Sequence, residues 1–107
     1  MTNLSTNDPG FLSLAGEIDL HEAPQVKERL LPLLNAKLPR VVVDLSGVTY
    51  IDSSGLALFI EAMQRVQAYG GIFRLCSLRP AVRTIFDIAR LDQVFAIFPD
   101  RDSAAAS

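Results

Sequence analysis

Residues 41–59, VVVDLSGVTYIDSSGLALF, decide the fold of this 107-residue chain. The segment starts with a short run of mostly β-branched residues at 41–45, which is typical of a strand buried on both faces of a sheet. Ser46 and Gly47 are turn residues and predict the end of that strand. Residues 52–55, Asp-Ser-Ser-Gly, then predict a helix start, because Asp and Ser side chains cap free backbone N–H groups there. The segment therefore predicts a strand, a connection and a helix whose N-terminus presents hydroxyl groups.

The rest of the chain alternates between strand and helix patterns. Further strands are predicted at residues 11–15, 72–76 and 94–98, and helices at 23–36, at 54–69 and from Pro80 to 91–92. In the helix at 54–69, the core face is predicted to hold Leu56, Phe59, Ile60, Met63 and Val66, with Leu58, Ala62 and Tyr69 outside it. Alternating strands and helices form βαβ units, so the sequence predicts an α/β domain around a mostly parallel sheet.

Composition and charge are those of one globular domain spanning residues 1–107, whose polar ends, 1–9 and 100–107, are expected to be flexible. Half of the residues are hydrophobic and 21% are charged, which argues against disorder. The net charge of −2 gives no reason to expect nucleic-acid binding. Cys76 is the only cysteine, so neither an internal disulfide nor a thiolate-rich metal site is expected. The apolar runs are too short to cross a bilayer, and the N-terminal residues lack the features of a signal peptide. A soluble cytoplasmic protein is therefore expected.

Three polar side chains follow the ends of predicted strands. Asp19 comes after the first strand, and Asp52 and Ser53 come after the central one. In parallel sheets, ligands and partners meet the loops at the carboxyl ends of the strands. If these two strands are neighbours, Asp19, Asp52 and Ser53 share one surface of the protein.

Ser53 and Ser54 have two interpretations. Both could be helix caps, since Asp and Ser before an apolar helix most often serve that purpose. Alternatively, this pair holds a regulatory phosphoserine, whose phosphate would add about −1.5 to −2 charges at pH 7. A helix N-terminus accommodates negative charge, so the change would act at the surface and leave the core intact. The local sequence leaves both interpretations open.

Catalytic and cofactor-binding alternatives lack essential residues. A hydrolase with Ser53 as nucleophile would need a nearby base, yet the only histidine, His21, lies at the start of the first predicted helix. A receiver that accepts phosphate on Asp44 or Asp52 would need an adjacent acidic pair after the first strand, and that pair is missing. Neither common glycine-rich phosphate loop is present. No enzyme activity, metal or cofactor is therefore expected.

Several segments resemble the STAS domain of bacterial anti-sigma factor antagonists. The matching residues are Gly16-Glu17-Ile18-Asp19, residues 42–48 (VVDLSGV) and Ile51-Asp52-Ser53-Ser54-Gly55-Leu56. Residues 70–75 (GGIFRL), 80–82 (PAV) and 91–92 with Phe95 also lie at the spacings of that family. The resemblance covers about residues 10–99, and the Asp-Ser-Ser-Gly-Leu element is its most specific part.

The resemblance implies a four- to five-stranded sheet with three or four helices, and a non-catalytic protein that acts by partner switching. In that scheme the unphosphorylated antagonist binds an anti-sigma factor that is also a GHKL-type serine kinase, and the sigma factor is released. The kinase phosphorylates the first serine of the Asp-Ser-Ser-Gly element, which is Ser53 here. The antagonist then dissociates until a PP2C-type phosphatase restores it. By the same resemblance, the partner-binding surface comprises Asp19, Asp52, Ser53, Ser54, Gly55 and Leu56.

Two points stay open at the level of sequence. The first ten residues include Asp8-Pro9-Gly10, so the edge strand that opens the family fold is expected to be reduced or missing, which puts even a weak homodimer in doubt. An alternative role is an accessory STAS subunit of a lipid-transporting ABC ATPase. That group shares Gly-Leu-Ala-Leu, found here at residues 55–58, but tends to carry Thr-Gly in place of Ser53-Ser54. A STAS protein of a two-component or biofilm pathway would use the same switch residues.

Overall fold

A computed structural model of the chain, which describes residues 10–106, contains a four-stranded sheet with the strand order β1-β2-β3-β4. The elements are β1 (Phe11–Ile18), α1 (Ala23–Asn35), β2 (Arg40–Ile51), α2 (Ser53–Ala68), β3 (Ile72–Cys76), α3 (Pro80–Ile88), a 3-10 turn (Leu91–Gln93), β4 (Ala96–Phe98) and α4 (Arg101–Ala106). The neighbouring strands are all parallel. The predicted α/β class and parallel sheet are confirmed. The expectations of flexibility and a reduced edge strand at residues 1–9 lie outside the described residues.

Helices pack on both faces of the sheet. Successive strand residues point to opposite faces, so each face contributes its own set of side chains. Val41 and Val43 of β2 lie in the main core, together with buried side chains of α1, α2 and α3. Val42 and Cys76 point the other way and pack against Ala104 of α4. Helices α1, α2 and α3 thus cover one face of the sheet, and α4 covers part of the opposite face.

Strand β2 is longer than its sequence predicts. The turn residues Ser46 and Gly47 were expected to end it, but the strand continues to Ile51, so this prediction is wrong. The strand continues because β1 runs beside it and accommodates two irregularities of register. A Cβ added at Gly47 would lie 3.0 Å from the Ala15 Cβ, so glycine permits this close pairing. The longer pair carries both strand ends to the start of α2.

Helix α2 presents a broader face to the core than predicted. Phe59, Met63 and Val66 are buried as predicted, and Leu58 and Ala62, predicted to lie off the core face, are buried as well. Leu56 and Ile60, predicted to face inward, are only partly buried against the core. The reason is that α1 lies beside α2 on the same face of the sheet, where the Lys27 ammonium and the Glu61 carboxylate approach to 3.6 Å. Burial on α2 therefore extends to the side that meets α1.

Residues 101–106, in the segment expected to be flexible, form the short helix α4. Asp100 caps this helix, because its Oδ1 accepts the Ser103 N–H at 2.8 Å. The buried Arg74 donates from Nη1 to the Ala104 carbonyl at 2.7 Å, and the Arg101 guanidinium lies 5.0 Å from the centre of the Phe11 ring. The small-residue sequence shows no helical periodicity, so these tertiary contacts decide the position of the helix.

A charged side chain at position 104, on the face of α4 that packs against the sheet, is expected to expose Cys76. Ala104 is fully buried against this thiol, and burial raises the pKa of Cys76 to about 11. The reactive thiolate is therefore scarce near pH 8. We expect Ala104→Glu to undock α4 and to increase the rate of thiol labelling by an aromatic disulfide at pH 8. Ala106→Glu is the matched control, because Ala106 is exposed; equal labelling rates in the two variants would contradict this assignment.

Candidate functional site

The predicted site residues converge where β1 and β2 end and α2 begins. Ile18 and Ile51, the last residues of the two strands, are register partners in the sheet. The two strands are therefore neighbours, which was the condition for Asp19, Asp52 and Ser53 to share one surface. Asp19 and Asp52 directly follow the paired strand ends. Ser53 opens α2 immediately after Asp52. This corner of the sheet is called the switch corner below, and it comprises Asp19, Asp52, Ser53, Ser54 and Gly55.

Asp52 holds the switch corner together. Its Oδ1 accepts the backbone N–H groups of Ser54 at 2.8 Å and of Gly55 at 3.2 Å. Its Oδ2 accepts the N–H of Leu20 in the loop after β1 at 3.2 Å. Its own N–H donates to the Ile18 carbonyl at 3.1 Å. The N-cap of α2 is therefore Asp52, and one carboxylate fixes the start of α2 and the neighbouring loop together.

Because Asp52 is the cap, the interpretation of Ser53 and Ser54 as the capping residues is wrong. Asp52 has the extended backbone of an N-cap residue, with φ −104° and ψ −172°. Ser53 and Ser54 are the first two residues of the helix itself. Ser53 is exposed, whereas Ser54 is half-buried. The purpose of the two hydroxyl groups is consequently not explained by capping.

Asp19 organises the loop that leads into α1. Its Oδ1 accepts the N–H groups of His21 and Glu22, each at 3.0 Å, and its carbonyl accepts the N–H of Ala23 at 2.8 Å. The carboxylates of Asp19 and Asp52 are both held by backbone N–H groups. Within residues 10–106, the ion pairs of the structure lie elsewhere, between Lys27 and Glu61 and between Arg83 and Asp87. The switch corner therefore carries uncompensated negative charge.

Gly55 lets α2 begin directly against both strand ends. It is buried, and a Cβ added there would lie 2.7 Å from Ile51 Cγ1 and 2.8 Å from both the Ile18 Cγ2 and the Ile18 carbonyl oxygen. Such distances are shorter than van der Waals contact, and a backbone oxygen cannot swing aside as a side chain can. Leu56, the next residue, is half-buried and packs against the main core. Gly55 and Leu56 thus place Ser53 at the surface.

Leu20 is a feature of this corner that the sequence reasoning missed. Its side chain is 71% exposed, although its N–H is held by Asp52. The signal was present in the sequence as a leucine between Asp19 and the polar residues His21 and Glu22, in a loop where an apolar residue has no core to join.

Residues 10–106 contain neither a cluster of metal-ligating side chains nor a helix able to span a membrane. Across residues 10–106, no three His, Cys, Asp or Glu side chains converge as metal ligands. No helix in that range combines the length and apolar character needed to cross a lipid bilayer.

The fold and the switch corner define a protein class, which comparison with known families makes explicit. The STAS domain family model matches residues 3–104, a wider span than the 10–99 expected from the resemblance. This chain therefore belongs to the STAS domain family.

Similar proteins include anti-sigma factor antagonists from several bacteria. The chain is 34% identical over 86 residues to the anti-sigma-B factor antagonist of Bacillus subtilis, covering 80% of this chain and 78% of the relative. It is 34% identical over 85 residues to the anti-sigma-B factor antagonist of Listeria monocytogenes, covering 78% and 74%. The crystal structure of an anti-sigma factor antagonist from Mycobacterium paratuberculosis superposes with a TM-score of 0.84 at 28% identity, covering 98% of this chain and 91% of that one.

Proposed function

We propose that this chain is an anti-sigma factor antagonist that works by partner switching, with Ser53 as the phosphorylated residue. Its unphosphorylated form binds an anti-sigma factor that is a GHKL-type serine kinase. Transfer of the γ-phosphoryl group of ATP to the Ser53 hydroxyl leaves ADP and ends the interaction, and a PP2C-type phosphatase reverses the modification by hydrolysis. In this proposal the chain itself is not a catalyst, and the partner supplies the chemistry.

The observation that carries the proposal is the exposed Ser53 beside a capped helix start. A kinase has to reach the hydroxyl from solvent, and Ser53 is exposed whereas Ser54 is half-buried. Capping does not require the Ser53 hydroxyl, because Asp52 already binds the N–H groups of Ser54 and Gly55. The hydroxyl can therefore be modified without breaking the cap. The names of the relatives at 34% identity support the role of an anti-sigma factor antagonist.

The electrostatics of the switch corner favour release of a partner after phosphorylation. A phosphate on Ser53 adds about −1.5 to −2 charges next to Asp52 and close to Asp19. The N–H groups of residues 54 and 55 already donate to the Asp52 carboxylate. They are therefore not free to neutralise the phosphate, which would lie beside that carboxylate. Like charges brought together in an interface cost several kcal/mol. The modification thus weakens the contact surface and leaves the buried core unchanged.

The other residues of the switch corner, together with the adjacent Leu56, have supporting roles in the proposal. Asp19 and Asp52 shape and charge the surface, Ser54 and Leu56 extend it along the first turn of α2, and Gly55 keeps that turn close to the sheet. All of them lie within the corner built by β1, β2 and α2. Contact with the partner is proposed to centre on this corner.

The experiment that tests this proposal is phosphosite mapping of the protein purified from the cells that naturally produce it. We expect an intact mass that includes one phosphate, lost on phosphatase treatment, and a fragment spectrum that assigns it to Ser53. A phosphate on Ser54 would contradict the residue assignment. Absence of phosphate under all growth conditions would contradict the switch and favour the accessory role in a lipid-transporting ABC ATPase.

A further inference from the structure

A groove lies beside the switch corner, between the N-terminal turns of α1 and α2. Its volume is about 320 Å³, and apolar atoms of Leu20, Pro24, Ala57 and Leu58 form much of its lining. The remaining lining includes Ser54, the direct neighbour of Ser53. The volume is of the size that an apolar side chain and its neighbours can occupy. The groove is therefore continuous with the surface that the proposed function assigns to the partner.

Leu20 forms an exposed apolar wall of this groove, and its backbone is held in place by a hydrogen bond. The side chain is 71% exposed, while the Leu20 N–H donates to Asp52 Oδ2 at 3.2 Å. Asp52 is anchored in turn to α2 and to β1 by its other hydrogen bonds. An exposed apolar side chain gains free energy when a partner covers it. Because the backbone of Leu20 is already held, ordering of that backbone adds little to the entropic cost of binding.

Charge around the groove indicates the chemistry of the occupant. Three acidic residues surround Leu20 without lining the groove: Asp19 precedes it, Asp52 accepts its N–H, and the Glu22 N–H donates to the Asp19 carboxylate. No ion pair joins these three to a cation within residues 10–106. The charged side chains that do line the groove are neutralised, because Lys27 and Glu61 pair across it at 3.6 Å. Interfaces commonly combine an apolar centre with a charged rim of complementary sign. A complementary partner therefore brings an apolar side chain with a lysine or arginine on the Ser53 side.

We infer that the groove between α1 and α2 receives an apolar side chain of the anti-sigma factor kinase, flanked by a basic residue, and that this side chain packs against Leu20. This inference rests on the proposed function and adds a contact beside the switch corner. It also explains how phosphorylation reaches the groove. Negative charge on Ser53 acts on Asp52, and Asp52 holds the Leu20 loop.

The test measures binding of the purified protein to each GHKL-type serine kinase encoded in the same genome, in the absence of ATP. We expect one kinase to bind the wild type, Leu20→Ala to bind it about tenfold more weakly, and Leu20→Glu to bind it more weakly still. Leu20 is exposed, so both variants should fold normally, which circular dichroism checks. Ile88→Glu is the matched control, because Ile88 is even more exposed, at 79%, and lies on α3 outside the groove. It should bind as the wild type does.

A second pair of variants tests the charge of the rim. Glu22→Lys should slow association and reduce the dependence of affinity on salt, because it removes attraction for the basic flank. Glu28→Lys makes the same change of charge at an exposed position further along α1, away from the loop that Asp19 and Asp52 hold, and its effect should be smaller.

Failure of the inference and failure of the proposed function give different results. Wild-type affinity in Leu20→Glu, with binding still lost in Ser53→Asp, would overturn the groove as the docking site and leave the switch standing. Equal losses in Leu20→Glu and Ile88→Glu would overturn it as well. If no kinase binds the wild type, the proposed function fails and the inference falls with it.

Discussion

Ser53→Asp is expected to weaken binding of the anti-sigma factor kinase by about a hundredfold, which corresponds to roughly 3 kcal/mol. The added carboxylate would sit at an exposed position directly after Asp52, in a corner whose acidic side chains have no cationic partner among residues 10–106. An interface that closes over it must bury like charges side by side. Aspartate carries less charge than a phosphate, so the true phosphoprotein should bind more weakly still.

The matched control for this variant is Ser53→Asn. Asparagine has nearly the shape of aspartate without its charge, so it separates electrostatic repulsion from crowding. We expect Ser53→Asn to stay within about threefold of the wild type, a difference well under 1 kcal/mol. Ser53→Ala should bind constitutively even when ATP is present, because the acceptor hydroxyl is gone. Titration calorimetry with and without ATP measures all four proteins. Equal affinities for the alanine and aspartate variants would rule out partner switching.

Gly55→Ala is expected to lower the free energy of unfolding by about 1–3 kcal/mol, the usual cost of overpacking a dense site. The result would be opposite in sign to helix propensity, since alanine in a helix interior is favoured over glycine by about 1 kcal/mol. The reason is steric. The new Cβ would lie 2.8 Å from the Ile18 carbonyl oxygen and 2.7 Å from Ile51 Cγ1, so α2 has to move away from both strand ends.

Ala57→Gly provides the control for Gly55→Ala, because Ala57 is an exposed residue two positions further along the same helix. Propensity alone predicts that the two substitutions have opposite effects. Close packing at Gly55 predicts that both destabilise the protein. Urea unfolding midpoints measure the difference. A Gly55→Ala protein more stable than the wild type would show that α2 does not depend on this close approach, and that Ser53 is positioned in another way.

Taken together, the two predictions separate the chemistry of the switch from its support. The charge of residue 53 should change binding and leave stability nearly untouched, because its side chain is exposed. A larger residue at position 55 should lower the stability of the fold. It should weaken binding only to the extent that it displaces the start of α2. A variant of either kind that affected both properties equally would show that the switch corner is less rigid than its hydrogen bonds indicate.

Local sequence determined much of this protein. Apolar runs with β-branched residues marked β3 and the start of β2, and periodic apolar residues marked α1, α2 and α3 to within a few residues. Asp19, Asp52 and Ser53 were placed together because parallel strands bring their carboxyl ends to one edge. These features depend on short-range patterns and on a general rule of topology, both of which can be read from the chain.

Tertiary structure alone decided the rest. Ser46 and Gly47 stay in β2 because β1 pairs beside them, and Leu58 and Ala62 are buried because α1 lies alongside α2. Residues 101–106 form a helix because Arg74 and Phe11 hold it against the sheet. The cap of α2 became identifiable only when the three hydrogen bonds of Asp52 were seen. The capping bonds of Asp52 to Ser54 and Gly55 are local. The other outcomes come from neighbours that are distant in sequence, whose stabilisation outweighs a local preference of about 1 kcal/mol or less.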